Sequence, residues 1–141
     1  MRRQRKAEEI LGTSASSSGA SSTTPLVPPW TDDRFEQLVN VDPRSAILYQ
    51  WGLIEDRLHQ AGYLAKMPFD RITTGRIVEF LSASNQLSDE VIAVIHDLRE
   101  IKNTIAHGLQ SGLTRLDAVS FRDASNPVLR ALDARIGELA K

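Results

Sequence analysis

The sequence predicts an all-α, up-and-down bundle of four to five helices. Three observations lead there. From residue 31 to the end, apolar residues recur at spacings of three and four, the period of a helix with one buried face. Residues that cap helices stand just before several of these runs. No Asn-Gly or Asp-Gly hairpin signal occurs, and no internal repeat is visible.

The chain divides into a leader, residues 1–30, and a helical domain, residues 31–141. Residues 13–24 are only Ser, Thr, Ala and Gly, a composition that buries too little apolar surface to offset chain entropy. Pro25, Pro28 and Pro29 then favour extended backbone. The leader is therefore expected to be flexible, with a helical turn or two near Arg2–Leu11 in a suitable context. Its basic start suits a nucleic-acid arm, a juxtamembrane flank or a solvated terminus, and a run this short favours the last. Trp30 is the residue placed to pin the leader onto the bundle.

Within the domain, Asp42-Pro43 is a helix start, with Asp as N-cap and Pro in the first turn. Ile47, Trp51, Ile54, Leu58 and Ala61 form the apolar stripe that follows, with Trp51 expected in the core. Gly62 and Met67-Pro68 predict an end near residues 64–66. A second helix is expected from about Asp70 to Ser84, using Ile72, Ile77, Phe80 and Leu81 as core contacts. Ser88 caps a third helix, Asp89 and Glu90 suit its positive end, and Gly108 stops it after His107. Thr114 and Asp117, a near-match to a capping box, open the last helical stretch. Pro127 predicts a break or kink near Asn126, after which Val128, Leu129, Leu132, Ile136 and Leu139 resume the apolar spacing.

Composition excludes several classes of function. The 141 residues are 41% hydrophobic, and 17 Lys+Arg against 18 Asp+Glu leave a net charge of −1, so no global basic field points to nucleic acid. Four of the basic residues, Arg2, Arg3, Arg5 and Lys6, stand on the leader beside Glu8 and Glu9, which leaves the domain mildly acidic. With no cysteine, a disulfide framework, a thiolate metal site and a Cys nucleophile are impossible. No run approaches the ~20 apolar residues of a membrane helix, and the basic start lacks the apolar segment of a secretory signal, so a cytoplasmic location is expected. There is no glycine-rich phosphate loop and no Gly-x-Ser-x-Gly elbow. His96 and His107 do not have the i, i+4 spacing of a helical zinc site, so neither a metal nor another cofactor is expected.

The third helix carries most of the chemistry. Val91, Val94, Ile95, Leu98, Ile101 and Ile105 form one apolar face, while His96, Glu100, Asn103 and His107 fall together opposite it, with Arg99 at the edge. The stretch Leu98-Arg-Glu-Ile-Lys-Asn-Thr-Ile-Ala-His107-Gly108 resembles the signature helix of the HEPN (higher eukaryotes and prokaryotes nucleotide-binding) family. That signature is Arg, then a polar residue that is often Asn, then three or four residues and His. Pro43-Arg-Ser-Ala-Ile-Leu-Tyr-Gln-Trp51 with Ile54-Glu55 is similar to the first helix of bacterial members, and Phe80-Leu81 with Leu87-Ser88 to the approach to the signature helix.

The resemblance implies a bundle that pairs through its signature helices and, in active members, metal-independent RNA cleavage. The His would move protons at the 2′-hydroxyl and leaving oxygen, and the Arg would stabilise phosphate charge. Carried over, the Arg falls on Lys102, the polar residue on Asn103 and the His on His107. Lysine keeps the charge but loses the planar fork that grips phosphate. In an ideal helix it also points about 140° away from His107. In a ribonuclease, Arg99 could substitute as the phosphate contact, although it stands at the wrong motif spacing.

Two readings follow. The first is a non-catalytic, dimerising HEPN-like interaction module of a bacterial protein, with a homodimer and a protein as expected partners; Lys102 and the near-neutral charge favour it. The alternative is a toxin-like endoribonuclease whose Lys102, Asn103 and His107 come together from two chains, with RNA as partner; Asn103-x-x-x-His107 favours it. His59 and His96 are expected to be ordinary surface residues, and Glu55 and Asp56 solvated acids.

Overall fold

Asp42 caps a helix as its sequence demands: one carboxylate oxygen accepts from the Arg44 amide at 3.2 Å, the other from the Ser45 hydroxyl at 2.9 Å, and Pro43 occupies the first turn. The computed structural model describes residues 33–68, 73–108 and 112–141. Among these residues lie five helices and no strand: α1 (Asp33–Val41), α2 (Pro43–Leu64), α3 (Thr74–Ala83), α4 (Asp89–Ala106) and α5 (Arg115–Leu139). The expectations for the leader, Trp30, Asp70 and Ile72 lie outside the described residues.

The helices form an up-and-down bundle built on α2. Gln50 meets Ser125 and Arg57 meets Asp133, so α2 and α5 run side by side in the same direction. Arg44, at the start of α2, donates to the carbonyl of Ile105, at the end of α4, so α4 runs antiparallel to α2. Helix α1 lies against α2 and α5. The five stripe residues of α2, Ile47, Trp51, Ile54, Leu58 and Ala61, are all buried, and α5 covers them with Phe121, Val128, Leu129 and Leu132. Inside this seam Gln50 Nε2 donates to Ser125 Oγ at 2.8 Å, and Ser125 Oγ donates to the Arg122 carbonyl at 2.9 Å.

Helix α2 ends at Leu64, within the expected 64–66, and three other expectations change. Gly62 is buried inside the helix, where a Cβ would stand 3.3 Å from Ile77 Cγ2. Its role is close approach of α3, and the turn is made by Lys66 at φ 62° with Met67 N–H donating to the Gly62 carbonyl at 3.0 Å. Helix α3 starts at Thr74, capped by Thr73, whose hydroxyl accepts from the Arg76 amide.

Pro127 does not break α5, which runs unbroken through it. Proline removes the amide that would bond the Asp123 carbonyl, but both residues lie on the exposed face, where that carbonyl is open to solvent. Burial of Val128, Leu129 and Leu132 just beyond holds the helix on course. Finally, the buried face of α4 includes Ile92 and leaves Ile101 43% exposed, at the rim of a groove with Leu98, Ile105 and Phe121. Neighbouring helices on both sides of α4 set that rotation, which periodicity alone does not specify.

The remaining caps follow the sequence. Ser88 accepts from the Val91 amide at 3.2 Å. Thr114 and Asp117 complete a reciprocal capping box, the aspartate replacing the usual Glu or Gln.

Candidate functional site

Helix α4 is buried along Ile92, Ile95, Leu98 and Ile105 and exposes the opposite face. Asp89, Ala93, His96, Glu100 and His107 are exposed and Asn103 half-buried, all along one line of the helix. His96, Asp97, Arg99, Glu100 and Asn103 together line a shallow polar concavity. No ion pair joins Asp89, His96, Glu100 or His107 to any described residue.

The residues carried over from the family signature are only partly brought together. Lys102 Nζ donates to Asn103 Oδ1 at 3.3 Å, so an ammonium and an amide sit side by side. His107 is the C-cap, exposed, its amide donating to the Asn103 carbonyl at 3.0 Å. Gly108 follows at φ 70°, a left-handed conformation that glycine adopts without a Cβ clash, and donates to the Ile105 carbonyl. No side-chain hydrogen bond joins His107 to Lys102 or Asn103 among the described residues. The Arg99 guanidinium leans on α3, close enough that a Cβ on Gly75 would stand 3.3 Å from it. Of the four candidates, then, Lys102 and Asn103 touch, Arg99 shares the concavity with Asn103, and His107 stands apart within one chain.

Arg44 was not singled out as a site residue by sequence reasoning. Its guanidinium crosses from α2 to the carbonyl of Ile105, placing positive charge at the negative end of α4, two residues before His107. Helix α4 has no basic residue in its own last turn, and that lack is the signal that a charge from elsewhere was wanted. Glu55 is not simply solvated: its carboxylate accepts from the Thr74 hydroxyl at 2.8 Å. His59 and His96 are exposed, and Trp51 is in the core.

Among the described residues, no three His, Asp or Glu side chains gather where they would hold a metal ion, and no helix is long and apolar enough to cross a membrane. No family model, no curated protein and no solved structure matches the chain.

Proposed function

We propose that this chain is a non-catalytic, HEPN-like helical interaction module of a bacterial protein that pairs with a second copy of itself through α4. The observation that supports this reading is the outward face of α4. His96, Glu100, Asn103 and His107 are presented along one line with no ionic partner among the described residues, whereas Glu36, Arg57, Arg115, Arg122 and Asp133 are paired within the fold. Lys102, the counterpart of the signature arginine, leans on Asn103 instead of turning toward His107, which weighs against a phosphate clamp within one chain. Sedimentation of the purified chain at rising concentration tests the reading. A reversible dimer is expected, and a chain that stays monomeric at millimolar concentration overturns it.

A second reading, a metal-independent endoribonuclease, is favoured by one observation: the Lys102 ammonium and Asn103 amide lie together, a pair suited to a phosphate oxygen, one turn before an exposed histidine. Incubation with single-stranded RNA in metal-free buffer decides it. Cleavage that His107→Ala abolishes supports this reading; intact RNA, or equal cleavage by the variant, removes it.

A further inference from the structure

The outward line of α4 is Asp89, Ala93, His96, Glu100, Asn103 and His107, with spacings that alternate four and three. That alternation is the seam of a helix that packs lengthwise on another helix. All six positions lie away from the core, and the line spans about 27 Å at the α-helical rise. Reversed end to end, the line is complementary to itself. Asp89 and His107 lie nine residues either side of Leu98, Ala93 and Asn103 five, and His96 and Glu100 two. A two-fold axis on the outward face, level with Leu98 along the helix, therefore sets each acid against an imidazole and the small Ala93 against the Asn103 amide.

We propose that two copies pair antiparallel along α4 in this register, Asp89 with His107 and His96 with Glu100 of the second copy, Ala93 with Asn103. The inference rests on the self-pairing proposed above and specifies its geometry. An imidazole N–H donates to a carboxylate whether the ring is neutral or charged, so the four hydrogen-bonded contacts of the seam do not depend on one protonation state. Antiparallel packing also opposes the two helix dipoles. A parallel pairing would instead stack each residue on its own copy, setting Asp89 against Asp89 and Glu100 against Glu100. Asp97 lies beside the axis on one flank, where its exposure to water screens the repulsion from its copy. The register places the two His107 side chains at opposite ends of the seam, so no cleft contains both.

Because the chain has no cysteine, engineered thiols report the register directly. The double variant A93C/N103C is expected to form a covalent dimer on mild oxidation, through two symmetric bridges. Within one chain the two positions are about 15 Å apart along the helix, too far for a disulfide. Neither A93C nor N103C alone should cross-link. Charge exchange provides the second arm: H96E weakens the dimer roughly tenfold by setting two carboxylates together, E100K weakens it by removing the carboxylate that accepts from His96, and H96E/E100K restores it.

The outcomes separate the two levels of the proposal. A wild-type chain that remains monomeric overturns the self-pairing and this register with it. A wild-type dimer in which A93C alone cross-links, the double thiol variant does not, or H96E/E100K fails to restore affinity overturns the register and leaves the self-pairing standing.

Discussion

The α1–α2–α5 side of the bundle and the outward face of α4 are built from similar residues and put them to opposite use. On the first side, charges are consumed by the fold. Glu36 accepts from Arg115 at 2.7 Å and Arg122 at 3.1 Å, Arg57 donates to Asp133 at 3.1 Å, and the Arg122 guanidinium sits 4.8 Å from the Phe35 ring centroid. Arg115 also donates to Asn40 at 2.7 Å, tying the end of α1 to the start of α5. On the outward face of α4, acids and imidazoles of comparable number point into solvent. The contrast teaches that exposed charge in this protein is not a uniform solubilising coat: one side holds three helices together, and the other is left available.

That contrast is most forcefully tested at the α2–α5 seam. Trp51→Ala should destabilise the fold by about 3–5 kcal/mol, the usual cost of truncating a fully buried aromatic residue, measured by chemical denaturation. A loss near zero would mean that this seam is not the core. Next in size, Ser125→Ala leaves the buried Gln50 amide without its acceptor and should cost about 1–3 kcal/mol. Adding Gln50→Leu should recover part of that loss, because replacing both polar partners removes the unsatisfied group.

Glu36 gives a smaller effect with a definite sign. Hydrogen bonding to Arg115, helped by Arg122, holds its carboxyl below the usual glutamate range. A carboxyl that ionises more readily in the folded state adds stability that is present above its unfolded value and lost as pH falls through its folded one. Denaturation followed from neutral to acid pH should therefore show Glu36→Gln less stable than wild type near neutrality, with the two converging in acid. A constant difference across pH would sink the assignment. Smallest of all, His96→Ala and Glu100→Ala should leave the stability of the monomer within about 0.5 kcal/mol, as expected for exposed residues without partners. The same variants should weaken self-association, and a variant that changes folding but not association would erase the distinction between the two sides.

Helix existence was legible because caps and stripes agree. Asp42-Pro43, Ser88 and Thr114 each begin a helix, and the α2 stripe from Ile47 to Ala61 is buried throughout. What misled was local punctuation. Pro127 reads as a break, yet it sits on the exposed face; Gly62 lies two residues before the end that it helps to signal and is also a contact point for Ile77. Local rules price a residue by its own backbone, whereas burial of the neighbours on either side outweighs one such penalty. At the candidate site, the alignment of His96, Glu100, Asn103 and His107 followed from helix period. The lean of Arg99 onto Gly75, the contact of Lys102 with Asn103 and the arrival of Arg44 at the end of α4 did not.

The sequence by itself determined that this is a cysteine-free, all-α protein, where most of its helices begin, and which residues share the outward line of α4. Those properties depend on residues within a few positions of one another, so the chain carries them locally. Only the tertiary structure decided that α2 is the central helix, that Ile92 and not Ile101 faces the core, and that Arg44 closes the end of α4 beside His107. These are set by which helices lie against which, and contacts such as Arg44 with Ile105, 61 residues apart in the chain, leave no periodic trace in the sequence.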